Sequence, residues 1–102
     1  MTYRTRYSKE AQEDLFDAVR FYEQREAGLG GDFLDEVESA LADVREHPKR
    51  WPRIRRTVRK RNTRRFPFAI IYAILRDLVY VIAVADLRRG PRWWRKRLKG
   101  WR

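Results

Sequence analysis

Apolar positions follow two different rhythms along this chain, and the change falls near residue 50. Residues 2–7, TYRTRY, alternate β-formers with polar residues and predict a short strand. Ser8 then stands where a helix N-cap belongs, with Glu10, Glu13 and Asp14 in the first turns. Ala11, Leu15, Ala18, Val19 and Tyr22 fall at helical spacing, and Gly28 with Gly30-Gly31 is the expected stop. Phe33, Leu34, Val37, Leu41 and Val44 make the stripe of a second helix, expected over about 32–46 and ended by Pro48. The connection is short, so the two helices should lie antiparallel as a hairpin. Beyond Pro52 the period becomes that of strands. Residues 53–61, RIRRTVRKR, predict a weak strand anchored by Ile54 and Val58. The run FPFAIIYAIL over 66–75 is apolar on both faces, as expected of a central strand covered on both sides or lined by a partner. Arg76-Asp77 gives a reversal and LVYVIAVA the return strand. DLRRGP over 86–91 reads as a loop, and RWWRKRLKGWR as a short final helix.

The order is β-α-α-β-β-β. The class is α+β, an antiparallel sheet covered on one face by an α-helical hairpin. The first strand is expected at the sheet edge or beside a central strand.

A length of 102 residues predicts one domain over 1–102, with a basic, Trp-rich tail from about 91 to 102. Cysteine is absent and histidine occurs once, at His47. Thiolate chemistry, Cys-ligated metal and a Ser-His-Asp triad are therefore excluded, and no metal or cofactor is expected. The longest apolar run is too short for a membrane span, and the N-terminus lacks the apolar stretch of a signal peptide. The expected location is the cytoplasm, with no membrane partner.

Charge adds more. Residues 1–47 hold 6 basic and 12 acidic side chains, whereas 48–102 hold 19 basic and 2 acidic, for a total of +11. Such segregation points to a polyanionic or acidic partner, RNA, DNA or an acidic protein. Of the 25 cations, 20 are arginine, which favours forked recognition of phosphate or carboxylate.

Three segments concentrate this charge. In a strand over 53–61, Arg53, Arg55, Arg59 and Arg61 would form one row, with Arg56 and Lys60 opposite. With Arg64 and Arg65 beyond, the ribbon is either a phosphate or acidic-peptide clamp or a solvated edge that blocks further pairing. The segment Asp86 to Arg95 follows directly on the central hairpin. Its Arg88 and Arg89 are held at the end of a rigid strand, while for Trp93 and Trp94 taken singly closing the core is the better reading than meeting a target. The tail sets Trp101 among Arg95, Lys96, Arg97, Lys99 and Arg102, and reads equally as a segment that stacks on bases or grips a groove and as a frayed terminus. Acid–base groups are scarce. His47 reads as a helix cap, the helical carboxylates as a solvated polar face, and Lys60, Tyr72 and Tyr80 are weak candidates.

Across Tyr7-Ser8-Lys9-Glu10-Ala11-x-Glu13-Asp14-Leu15, the hinge with Gly30 and Phe33-Leu34, Arg65-Phe66-Pro67-Phe68-Ala69-Ile70-Ile71-Tyr72, and Val81 through Trp94, the chain resembles the RelE/ParE toxin superfamily. The resemblance spans about residues 3 to 97. It implies a toxin of a type II toxin–antitoxin pair with a β-α-α-β-β-β fold, neutralised by a cognate antitoxin whose wrapping segment is acidic. RelE-like members cleave mRNA in the ribosome. ParE-like members poison DNA gyrase. Where RelE-like members often carry a tyrosine near the C-terminus this chain has Trp93, and where His is frequent it has Asp86, so proton-transfer groups are lost while arginines are kept. The resemblance thus favours the ParE-like branch, with Arg88, Arg89, Arg92, Trp93 and Trp94 as expected target contacts and Arg55, Arg59 and Arg65 as a basic sheet face. The alternatives are a ribosome-dependent endoribonuclease acting on mRNA, and a degenerate chain that only binds antitoxin.

Overall fold

The computed structural model describes residues 2–101; Arg102, counted above among the tail cations, lies outside the described residues. The elements are β1 (Arg4–Tyr7), α1 (Lys9–Arg25), α2 (Leu29–Glu46), β2 (Val58–Asn62), β3 (Phe68–Leu75), β4 (Leu78–Asp86), a 3-10 turn over Leu87–Arg89, and α3 (Arg92–Arg97).

Ser8 caps α1 as expected, its Oγ accepting from the Ala11 N–H at 3.0 Å. The chain reverses at Gly28, whose φ of 91° lies in the left-handed region. The second helix starts at Leu29, three residues before its expected start, so Gly30 and Gly31 belong to its first turn rather than to the stop. Gly30 sits at a close helix–helix approach: a Cβ there would lie 2.7 Å from the Val19 carbonyl oxygen. The Glu23 carboxylate ties the hinge by accepting from the Gly28 and Gly30 N–H groups, each at 3.0 Å.

The sheet order is β1-β4-β3-β2. β2, β3 and β4 are antiparallel, but β1 pairs parallel to β4, so the sheet is mixed rather than wholly antiparallel. A tight turn, with Arg76 at φ 58°, forces β3 and β4 antiparallel, whereas the helical layer separates β1 from β4 and removes that constraint. β1 thus lies at an edge and beside a central strand. The strand expected over 53–61 begins only at Val58, and residues 53–57 form an irregular turn tied to β2 by the Arg53–Arg59 bridge and by backbone hydrogen bonds of Ile54 and Arg55 with Val58.

A bulge in β4 decides which residues face which layer. Ile71 pairs with Ala83 and Tyr72 with Val81, which leaves Ile82 as the extra residue. Val79, Val81 and Val84 therefore pack toward the helical hairpin, while Ile82, Ala83 and Ala85 pack on the other face. On the hairpin side Tyr22, Phe33, Phe66 and Phe68 form an aromatic cluster with centroids 4.7–6.0 Å apart. On the opposite side Trp94 and Leu98 cover Val58, Ile71 and Ile82. The second cover on the apolar run over 66–75 is the chain's own C-terminal helix. No helix among the described residues is long and apolar enough to cross a membrane.

Candidate functional site

The segment after β4 is a rigid corner. Asp86 ends the strand and its Oδ1 accepts from the Arg88 N–H and Nε, each at 3.0 Å, while Oδ2 accepts from Arg88 Nη2 at 3.0 Å. Burial alone would raise the carboxyl's pKa. The hydrogen bonds and charge of Arg88, with that of Arg89, overcome this and hold Asp86 below its ordinary value. The forked bond to Asp86 in turn raises the pKa of Arg88. Leu87 N–H donates to the Pro67 carbonyl at 2.8 Å and Trp93 Nε1 to the Asp86 carbonyl at 3.3 Å, so the corner is pinned from both sides.

The Arg88 guanidinium also lies over the Phe21 and Tyr22 rings, 5.3 and 5.9 Å from their centroids. Burial raises the pKa of the Tyr22 hydroxyl, which has no hydrogen-bond partner among the described residues. Arg89 stacks over Trp93 at 4.4 Å. Arg88, Arg89 and Trp93 are thus one cluster. Arg92 stands exposed at the start of α3, beyond that cluster. Trp94 turns inward, 5% exposed, and serves the core.

The proposed basic sheet face is not one surface. Arg55 lies in the turn before β2 and lines the α3 side. Arg59 is in β2 and donates to the Lys49 and Trp51 carbonyls at 3.0 and 2.7 Å, toward the loop after α2. Arg65 lies in the β2–β3 connection, with Nη1 3.3 Å from Asp32 and its own N–H 2.6 Å from Glu36. The expected row holds within β2 and fails before it, where Arg55 lies on the same side as Lys60. Arg59 and Arg61 point to the hairpin side, where Arg61 meets Asp43 at 2.8 Å, while Lys60 points to the α3 side, 6.0 Å from the Trp94 centroid.

The hairpin carboxylates expected to be solvated are partly engaged instead. Asp14 binds Arg97 through both oxygens, at 2.9 and 3.1 Å, and also accepts from the Val84 N–H at 3.1 Å. Arg97 further donates to the Ile82 carbonyl at 3.1 Å. This clamp satisfies the edge of β4 beyond the end of β1 and fastens α3 to the sheet. It joins residues 83 apart in the sequence, and no local pattern announces it.

Acid–base candidates fare unequally. Tyr72 is fully buried, donates to the Pro48 carbonyl at 2.6 Å, and has its pKa pushed well up by burial. Tyr80 stacks on Trp101 at 5.8 Å. His47 caps α2, its N–H donating to the Asp43 carbonyl at 3.0 Å. Among the described residues no three His, Cys, Asp or Glu gather where a metal ion would sit.

Two solved structures share this architecture. A chain from the chromosomal ParDE toxin–antitoxin system of P. aeruginosa superimposes with TM-score 0.73 at 11% identity, covering 83% of this chain and 96% of that one. A double mutant of the E. coli toxin RelE in the free state gives TM-score 0.64 at 15% identity, covering 100% of both chains. At such identities the likeness is one of fold, and that fold is the one shared by RelE and ParE toxins. No curated protein matches the chain. Residues 5–91 match the family described as ParE toxin of type II toxin-antitoxin system, parDE, and the chain belongs to that family. It is accordingly the toxin of a type II toxin–antitoxin pair, and an antitoxin is its partner.

Proposed function

We propose that this toxin acts in the cytoplasm by binding DNA gyrase and arresting replication, with the Asp86–Arg95 corner as its target contact and an acidic antitoxin as its inhibitor. The observation that carries this reading is the clamp of Asp86 on Arg88 beside Trp93. It presents Arg88, Arg89 and Arg92 from a pinned turn, as a docking surface requires. It also offers little for moving protons. The Asp86 carboxyl is held ionised, an indole N–H is no acid or base near neutral pH, and Tyr72 is sealed in the core. Cleavage by an attacking 2′-hydroxyl needs such groups. Binding does not.

Pulse-labelling after induction without antitoxin tests this directly. Thymidine incorporation should fall before methionine incorporation, and purified toxin should inhibit gyrase supercoiling of plasmid DNA. Arg88→Ala with Arg89→Ala should abolish both effects while antitoxin binding persists. If methionine incorporation falls first, the ribosome-dependent nuclease reading replaces this one. If neither falls, the chain is an antitoxin-binding module alone.

A further inference from the structure

The α3 side of the molecule carries a second surface, which shares Arg92 and Arg95 with the target-contact corner but excludes Arg88 and Arg89. Two open hollows of about 740 and 940 Å³ run together between the turn before β2 and α3, sharing Arg55, Pro91 and Arg95. Six cations line them: Arg55, Lys60, Arg92, Arg95, Lys96 and Lys99. No acidic residue lines either hollow, and none of the six forms an ion pair among the described residues. The basic half holds two acids, and both are engaged elsewhere, Asp77 by Arg4 and Asp86 by Arg88. Elsewhere Arg61, Arg65 and Arg97 each meet a carboxylate of the helical hairpin. A concave surface of unneutralised cations is costly to the folded state unless an anion fills it.

The form of that anion follows from what the surface lacks. The large apolar residues of the floor are closed, Trp94 5% and Leu98 1% exposed, and what remains is Ile54, Leu87 and Pro91 set among cations, so an amphipathic acidic helix would find no deep apolar groove. Stacking platforms are also taken. Trp93 lies beneath Arg89 and Arg97, Trp94 has Arg95 and Lys60 over its ring, and Trp101 stacks on Tyr80. Splayed bases of a single strand need free aromatic faces. A duplex, which presents phosphates and keeps its bases stacked, needs none.

We infer that this cleft binds the phosphodiester backbone of double-stranded DNA, without reading sequence. The inference stands apart from the gyrase reading, because it requires contact with DNA by the toxin alone.

Fluorescence anisotropy of a labelled 25-base-pair duplex with the purified full-length toxin tests it, with no gyrase present. Six phosphate contacts predict a slope of log affinity against log salt of about −5, and a loss on the order of 10³-fold between 50 and 200 mM NaCl. Lys60→Gln, Arg95→Gln and Lys99→Gln together should reduce that slope by about 3 and leave the melting temperature within a few degrees. Arg20→Gln, Arg25→Gln and Arg64→Gln remove the same charge from the hairpin side and should leave the slope unchanged. Should the triple variant lose its fold, Arg95→Glu alone at its exposed position should still weaken binding at least tenfold.

Equal slopes for the two triple variants would mean diffuse attraction by net charge and overturn the cleft. Tighter binding of a 25-nucleotide poly-U RNA than of the duplex would overturn the duplex assignment. Capture of a glutamate-rich peptide through these residues, with no duplex bound, would overturn it in favour of a protein partner.

Discussion

The two faces of the sheet handle charge in opposite ways. On the hairpin side, arginines from the basic half meet carboxylates from the acidic half: Arg61 with Asp43, Arg65 with Asp32, and Arg97 with Asp14 around the sheet edge. On the α3 side six cations face solvent with no such partner among the described residues. The segregation of charge along the chain is thus partly spent within the fold. One part closes the helical layer and α3 onto the sheet. Six further cations are gathered on the α3 side, where they are available to a partner.

The difference in packing between the faces should give the largest effects. Phe33 is wholly buried among Tyr22, Phe66 and Phe68, on the face that two long helices cover. Phe33→Ala should cost about 3–5 kcal/mol in urea-induced unfolding. Leu98, equally buried, is covered by one six-residue helix near the chain end. There the surroundings collapse more easily, and Leu98→Ala should cost about 2 kcal/mol. Equal costs would mean that α3 is as integral to the fold as the hairpin.

The clamp between the faces comes next. The Asp14 and Arg97 side chains are 14% and 22% exposed, and Asp14 also serves the Val84 N–H. Asp14→Ala leaves the Val84 amide unpaired and the mostly buried Arg97 guanidinium with the Ile82 carbonyl but no carboxylate, and should cost about 3 kcal/mol. Arg95→Gln, two residues away in α3 and exposed, should change stability by less than about 0.5 kcal/mol. A double-mutant cycle on Asp14 and Arg97 with coupling near zero would show that α3 is held by its apolar contacts alone.

How much of this was legible in the sequence depends on the range over which each signal acts. Period and capping act within a few residues, so the Ser8 cap, both helical stripes, the hairpin at Arg76-Asp77 and the α+β class could be read directly. Gly30 shows the limit. As a residue type it signals a stop, but its role is set by Val19 across the interface, which no local pattern encodes. The turn over 53–57 reads as strand because Arg53 and Arg55 flanking Ile54 mimic a strand's period, with Ile54 as the one strong apolar anchor there. The corner at Asp86 was legible because its parts are adjacent in sequence. The Asp14–Arg97 clamp, the parallel placement of β1 and the split of Arg55, Arg59 and Arg65 over different surfaces depend on tertiary contacts, and spacing alone could not supply them.

Gly30 and Gly31 separate the hairpin's packing from its intrinsic helicity. Gly30→Ala would press a methyl to 2.7 Å from the Val19 carbonyl and 2.9 Å from the Glu23 carboxylate. Glu23 gives way cheaply but backbone does not, so the substitution should cost about 1–3 kcal/mol. Gly31→Ala meets nothing within 4 Å in the same turn and should stabilise by up to about 1 kcal/mol. Opposite signs in thermal melts would place the constraint at the α1–α2 contact. Like signs would place it in the backbone of the turn.

The smallest effect concerns pH and again contrasts buried groups with exposed ones. The Tyr7 hydroxyl has its pKa pushed up to about 12, first by burial and then by the negative charge of Glu38, with Arg45 opposing. An unfolded tyrosine ionises near 10. Between about pH 10 and 12 the folded state therefore holds a proton that the unfolded state has released, and stability falls as pH rises through that window. Tyr22 and Tyr72, raised in the same direction, add to the fall. Below pH 10 the contribution is fully present, so the fold should be insensitive to these groups near neutrality. Tyr7→Phe removes one titration, and denaturation midpoints measured from pH 8 to 12 should decline less steeply than in the unaltered chain. An unchanged decline would mean that the other tyrosines govern unfolding in base.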